Sequence, residues 1–247
     1  MPRCVQKVKL VRHTVEPEAL TALGARLCYA GGDVEKLLTA IEQKDQRAFV
    51  EKIMSMGHES VLEHVSFTFL IEGVSRVLLA QLTRHRIASF SVQSQRYVSY
   101  ASGFGYIVPP AIENLGPDAV AEYESQMAQM QSWYEGWQKR LGDAGEKSNE
   151  DARFVLPNAC ETRVLLTMNA RELRHFFALR MCTRAQWEIR QMAASMFEEC
   201  VKAAPAMFRD AGPGCLRGAC PEGEKSCGKA KEIRDQRQAF LQTEGLA

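Results

Sequence analysis

The sequence predicts a mixed chain of helices and strands that lies outside the doubly wound α/β class, and three observations point there. Helical and strand-like stretches follow one another without regular βαβ alternation. No glycine-rich dinucleotide fingerprint follows a strand. The composition, 46% hydrophobic and 25% charged among 247 residues, is that of an ordinary globular protein with a sizeable core. The net charge of +1 is too small for a protein that lives on nucleic acid.

The elements follow in order. Gln6 to Val11 reads as a short strand with Val8 and Leu10 on one face. Glu16-Pro17 opens a helix through Tyr29, because proline suits a first turn. Gly31-Gly32 breaks it, and Asp33 caps a helix over Val34 to Ile41. Asp45 caps another, in which Phe49, Ile53 and Met56 keep helical spacing until Gly57. In Gly57-His58-Glu59-Ser60-Val61-Leu62-Glu63-His64, Ser60 and Glu63 form a capping box that starts a helix. Val65 to Glu72 alternates as a strand, with Phe67, Phe69 and Ile71 on one side. Val74 to Thr83 is helical, and Arg96 to Ala101 is expected to be a strand. Pro117 to Leu141 is a long helix whose methionine and tryptophan stripe suits a core or a subunit contact. A short helix over Asn149 to Leu156 and an apolar strand over Thr162 to Asn169 come next. A helix to Arg180 follows, then a last major helix from Gln186 to about Phe208.

Between the Val74 helix and the Arg96 strand lies the segment Arg84-His85-Arg86-Ile87-Ala88-Ser89-Phe90-Ser91-Val92-Gln93-Ser94-Gln95-Arg96-Tyr97. It concentrates arginines and serines and contains no carboxylate. Arginine forks and hydroxyls together suit a phosphate or carboxylate ligand. A solvated basic turn is the plainer reading, but the apolar segment leading into it places the cluster at a helix end beside a cleft.

This segment resembles the Arg-His-Arg-x-x-Ser-x-Asn-x-x-Ser-x-Arg signature of the flavin-dependent thymidylate synthases. It matches at Arg84, His85, Arg86, Ser89, Ser94 and Arg96, and Ser91 stands where the signature has asparagine. Three further blocks are similar to that family. They are the Gly-His-Glu-Ser segment, the Asn-Ala-Arg-x-Leu-x-x-Phe-x-x-x-Arg pattern through Asn169, Arg171, Leu173, Phe176 and Arg180, and the run Ala-Gln-Trp-Glu-Ile containing Gln186.

The resemblance implies an α+β fold, an antiparallel sheet flanked by long helices. Residues 1–211 would form a single catalytic domain, followed by a cysteine- and glycine-containing tail over residues 212–247. It also implies reductive methylation of dUMP to dTMP. The methylene would come from 5,10-methylenetetrahydrofolate and the hydride from FAD reduced by NADPH, with release of tetrahydrofolate. The implied FAD contacts are His58, Ser60, Glu63, Arg84, His85, Arg86, Ile87, Ser91, Asn169, Arg171 and His175. The implied dUMP contacts are Gln81, Arg84, Ser94, Gln95, Arg96, Arg153 and Arg180, with Ser94 and Arg180 closest to the chemistry. The family holds its flavin between subunits of a homotetramer, so a homotetramer is expected here.

The residues suit this chemistry. A nucleotide phosphate calls for bidentate arginines, and Arg84, His85, Arg86 and Arg171 would balance the charges of the flavin. A cysteine nucleophile in a Pro-Cys-His context is absent from the sequence. No base adjoins Ser94 in sequence, so a role in binding and polarising the uracil is preferred to nucleophilic attack.

Met1-Pro2-Arg3-Cys4 lacks a signal-peptide core, and no apolar run approaches a membrane span. A cytoplasmic enzyme with reduced thiols is therefore expected. Cys215, Cys220 and Cys227 do not follow a standard zinc spacing and need a fourth thiol, Cys200 being the one considered. No metal is expected. The competing classes are an RNA-binding module using the arginines with Tyr97, Tyr100 and Phe90, and a metal-dependent hydrolase using His58, His64 and the tail thiols.

Overall fold

The structure is a computed structural model that describes residues 1–246. Four strands form one antiparallel sheet in the order β1-β2-β4-β3. They are β1 (Lys7–His13), β2 (Ser66–Ser75), β3 (Ala88–Val92) and β4 (Glu161–Asn169). Helices α1 (Pro17–Leu27), α2 (Val34–Glu42) and α3 (Arg47–Ser55) lie between β1 and β2 in the chain, and α4 (Arg76–Leu82) between β2 and β3. Helices α5 (Pro110–Glu113), α6 (Pro117–Arg140) and α7 (Glu146–Ala152) precede β4. After it come α8 (Ala170–Arg180), α9 (Trp187–Ala203), α10 (Pro205–Phe208) and α11 (Ala230–Thr243). The α+β class expected from the sequence is the one observed.

Side-chain caps account for several of the helix starts. The Asp33 carboxylate accepts from the Glu35 amide at 3.0 Å, and Asp45 accepts from the Arg47 amide at 2.9 Å. Ser75 Oγ accepts from the Leu78 amide at 3.0 Å, Asn169 Oδ1 from the Glu172 amide at 2.8 Å, and Gln186 Oε1 from the Glu188 amide at 3.0 Å. Each satisfies a backbone donor that the first helical turn leaves without a partner.

Five expectations need correction. Strand β2 runs on to Ser75, so the helix expected from Val74 starts only at Arg76, after its Ser75 cap. The strand expected over Arg96 to Ala101 is absent. The Ser94 hydroxyl accepts from the Arg96 amide at 3.1 Å, the Val98 amide returns to the Ser94 carbonyl at 3.2 Å, and the chain turns there. The strand of this region is β3, inside the arginine-serine segment. The capping box at Ser60 and Glu63 does not form; Glu59–His64 is a 3-10 turn with no side-chain cap. The helix expected over Asn149 to Leu156 is α7, which begins at Glu146 and tightens into a 3-10 turn over Arg153–Val155. The last major helix ends at Ala203, because Pro205 has no amide hydrogen to extend it and starts α10 instead.

The chain divides into two compact units. The first comprises residues 1–8, 70–84 and 90–166; the second comprises 9–69, 85–89 and 167 onwards. In the first, Tyr100, Phe104, Tyr106, Met127, Tyr134 and Cys160 form a buried cluster. Burying one such aromatic side chain stabilises the fold by about 1.5–3 kcal/mol. Tyr134 and Gln138 of α6 also carry a polar network. Gln138 Nε2 donates to Tyr134 Oη at 3.0 Å and to Asn149 Oδ1 at 2.6 Å, and Asn149 Nδ2 donates to the Arg96 carbonyl at 2.8 Å. The tryptophans of α6 do not join this core: Trp133 and Trp137 are 50% and 45% exposed. Gly73 of β2 has φ +68°, and a Cβ there would lie 2.1 Å from the Val5 carbonyl oxygen. Only glycine fits that crossing.

In the second unit, Phe67 packs edge-on against Phe208, with ring centroids 5.2 Å apart, and Phe177 meets both Phe197 and Phe208 edge-on. These rings tie β2, α8, α9 and α10 into one core, and α8 carries the side chains of the site on its other face.

Candidate functional site

Within the second unit, a cavity of about 630 Å³ opens beside the start of α8. Glu63, Ile87, Asn169, Arg171 and His175, all expected flavin contacts, line it. Arg171 Nη1 pairs with Glu63 Oε1, two half-exposed groups. Asn169 is held by its capping role, so its side chain reaches the cavity rim in a fixed orientation. His58 and Ser60 line a different, more apolar pocket of about 290 Å³ together with Phe49, Ile53 and Met56. Arg86 is exposed and belongs to the same unit, whereas Arg84 and Ser91 belong to the first. Among the described residues, neither Arg84 nor Arg86 has an ion-pair partner.

His85 is buried behind this cavity, 6% exposed. Its Nδ1 lies 3.0 Å from Glu172 Oε1, and Arg180 Nε donates to its Nε2 at 3.0 Å. An arginine offers only donors, so Nε2 must accept and Nδ1 must carry the proton. Burial pulls the imidazole pKa down, the Arg180 charge pulls the same way, and both outweigh Glu172. His85 is therefore neutral near pH 7. In this arrangement the imidazole bridges the Glu172 carboxylate and the Arg180 guanidinium.

Arg174 is also buried, its side chain only 5% exposed. Its Nε donates to Glu59 Oε1 at 3.1 Å, its Nη1 to Asp210 Oδ1 and the Met207 carbonyl at 2.6 Å each, and its Nη2 to Asp210 Oδ2 at 3.0 Å. Burial alone would raise the Asp210 pKa, but the Arg174 guanidinium overcomes it and holds the carboxyl below its ordinary range.

The nucleotide set lies in the first unit, except Arg180. Arg96 pairs with Glu146 and lies 3.3 Å from Glu150 Oε2, while Arg153 Nε donates to the Glu150 carbonyl at 3.0 Å. Glu150 thus brings Arg96 and Arg153 together. Gln95 Nε2 reaches Cys160 Sγ at 3.7 Å, and the Arg84 amide donates to the Gln81 carbonyl at 3.4 Å. Ser94 Oγ accepts from the Arg96 amide at 3.1 Å and the Tyr97 amide at 3.5 Å. Burial pushes the Cys160 thiol up to about 11, which keeps it protonated and unreactive.

Sequence reasoning did not single out Glu59, Glu172 or Arg217, which also line the cavity. Glu172 has no signal beyond its place inside the Asn-Ala-Arg block, whereas Arg174 shares a helix face with Arg171 and His175 by its spacing. In the tail, the thiols around Cys215 are Cys220, Cys182 and Cys227, whose influence adds to burial in raising its pKa. Cys200 is wholly buried in α9. Cys227 is exposed, and the Thr183 hydroxyl and nearby backbone amides lower its pKa. Among the described residues, no group of three or more His, Cys, Asp or Glu side chains is arranged to hold a metal ion, and no helix is long and apolar enough to cross a membrane.

Comparison with known proteins gives concordant results. The model of the family described as thymidylate synthase complementing protein matches residues 9–206. The flavin-dependent thymidylate synthase of Geobacter sulfurreducens is 52% identical over 92% of this chain and 96% of its own length. That of Clostridium tetani is 46% identical over 92% and 95%. Among solved structures, a UMP/dUMP methylase from Streptomyces cacaoi bound with 5-Br dUMP superposes with TM-score 0.65 at 26% identity, covering 83% of this chain and 94% of that one. A flavin-dependent thymidylate synthase from Helicobacter pylori superposes with TM-score 0.59 at 24% identity, covering 83% and 99%, a likeness of fold. With the family model spanning most of the sequence and relatives this similar over nearly their full lengths, the chain belongs to the flavin-dependent thymidylate synthase family.

Proposed function

We propose that this enzyme methylates dUMP to dTMP reductively, taking the methylene from 5,10-methylenetetrahydrofolate and releasing tetrahydrofolate. FAD, reduced by NADPH, supplies the hydride. The observation that carries the reading is the cavity in which Glu63, Ile87, Asn169, Arg171 and His175 converge. Its volume lies within the roughly 300–1,000 Å³ of small-molecule and cofactor sites. Its lining offers the amide of Asn169, the ring nitrogens of His175 and the Arg171 cation, which suit a flavin ring and its phosphates.

The chain's own residues then divide the work. Arg171 and Asn169 hold the flavin, with Arg84 and Arg86 as exposed cations for its charges. Arg96, Arg153 and Arg180 bind the nucleotide, with Gln81 and Gln95 adding polar contacts. His85, fixed by Glu172, sets the orientation of the Arg180 guanidinium. Ser94 binds and polarises the uracil. Its oxygen faces amide donors, which lower its electron density and suit it poorly to attack.

Residues 1–211 form the catalytic body and residues 212–247 its tail, in a cytoplasmic homotetramer. Trp133, Trp137 and Leu141 recur at four-residue steps, each at least 40% exposed, and such an apolar stripe is suited to a subunit contact. Light scattering at four times the 27.7 kDa chain mass would support the tetramer.

The test of function is the visible spectrum of the purified protein under anaerobic conditions. Flavin bands that bleach with NADPH and return only with dUMP and methylenetetrahydrofolate together are expected. A colourless protein that gains no flavin bands when FAD is supplied would overturn the reading.

A further inference from the structure

The family match ends at residue 206, yet the cavity has a wall contributed from beyond it: Arg217, in the tail, lines the same space as Arg171 and Arg174. The tail is seated firmly enough to fix this side chain's origin. At Gly212 the backbone takes φ +140°, and a Cβ there would come within 2.7 Å of Leu216 and 3.0 Å of Arg237. Helix α11 then grips the segment from outside. Arg234 Nε donates to the Cys215 carbonyl at 2.8 Å and its Nη2 to the Gly218 carbonyl at 2.6 Å, on either side of Arg217. Arg237 lies over the Phe197 ring at 3.7 Å and donates to the carbonyls of Arg209 and Ala211.

The charge of Arg217 is only loosely claimed. Among the described residues its one ion-pair partner is Asp210, 3.5 Å from Nη1, while the same carboxylate makes bonds of 2.6 and 3.0 Å to Arg174. A separation of 3.5 Å is beyond a good charge-assisted hydrogen bond. Arg174 is buried and consumed by Asp210, Glu59 and the Met207 carbonyl; Arg171 is paired with Glu63. Arg217, with 47% of its side chain exposed, is thus the most loosely paired guanidinium of the three that line this cavity.

We propose that the tail forms one wall of the flavin cavity and that Arg217 binds the phosphate-bearing part of the dinucleotide there. This rests on the flavin reading above and extends it to a segment outside the family match. Asp210 holds the side chain near its working position and releases it when the pyrophosphate, with two negative charges against the carboxylate's one, arrives. Because the riboflavin portion carries no phosphate, the contribution of Arg217 belongs to FAD and not to riboflavin.

The test uses the full chain freed of flavin, titrated with FAD and with riboflavin by fluorescence. Arg217→Ala is expected to raise the Kd for FAD about tenfold, the scale of one charge-assisted contact, and to leave riboflavin binding unchanged. Arg217→Lys should restore most of the FAD affinity, a rescue that a merely structural role would not show. The FAD Kd of Arg217→Ala should also depend less steeply on salt, a readout that stands even where riboflavin binds too weakly to measure. Wild-type FAD affinity and salt dependence in Arg217→Ala would overturn the proposal while leaving the flavin reading intact. A wild-type chain that takes up no FAD would remove both.

Discussion

Replacing Arg174 with methionine keeps most of the side chain's volume and removes its charge from a nearly closed site. Four hydrogen bonds are lost, and the carboxylates of Glu59 and Asp210 are left facing one another without their cation. Removing one partner of a buried pair costs roughly 3–5 kcal/mol. Water reaches the remaining partners, since the Asp210 and Glu59 side chains are 44% and 35% exposed, so the lower end applies, about 3 kcal/mol. For a chain of this size that corresponds to a fall in Tm of roughly 6–12 °C. Urea unfolding followed by far-ultraviolet circular dichroism measures it directly. Asp210→Asn completes a double-mutant cycle, with a coupling of about 1–3 kcal/mol expected. The depressed Asp210 pKa fixes the pH dependence. Its contribution is complete above the ordinary carboxylate pKa, about 3.9, and is lost as pH falls through the lower folded value. The gap between wild type and Arg174→Met should therefore stay level from about pH 5 to 8 and close only in stronger acid. A loss below about 1 kcal/mol at pH 7, or a gap that closes near neutrality, would refute the reasoning.

Three other outcomes are expected. His85 has a folded pKa below its unfolded value of about 6.5. Wild type should therefore lose stability as pH falls from 6.5 toward the folded pKa, and His85→Gln should lack that step in a Tm series across pH 5 to 8. Gly73→Ala forces a side chain into the left-handed region and onto the Val5 carbonyl, so a loss of at least about 3 kcal/mol is expected; unfolding within 1 kcal/mol of wild type would contradict the close crossing. Ser94→Ala should raise KM for dUMP about tenfold while keeping measurable turnover. Complete loss of turnover with normal flavin and nucleotide binding would reinstate Ser94 as a nucleophile.

What the sequence reveals here depends on range. Asn169 caps α8, and Arg171, Arg174 and His175 follow at three- and four-residue steps; both are local facts, legible because a helix converts spacing into direction. Ser94 shows the limit of local reading. Its hydroxyl bends the chain through two nearby amides, and the β-favouring residues after it, Tyr97, Val98 and Tyr100, never form a ladder. Glu63 fits a capping box by spacing but goes to Arg171, a partner far along the chain. The links from Glu172 to His85, from Arg174 to Asp210, and from Arg217 to the cavity depend on which elements pack together, and no periodicity encodes them. Pro205 was readable, since a proline cannot continue a helix, yet the apolar spacing on either side of it conceals the break.

The tail also provides a reporter. Cys160 and Cys200 are sealed in the two cores, and burial raises both thiols. Cys227 is exposed and its pKa is lowered, so it holds the larger thiolate fraction at neutral pH and should be modified well before them by a maleimide dye. With the other exposed thiol, Cys28, replaced by serine, a fluorophore placed there would follow the segment bearing Arg217 during turnover.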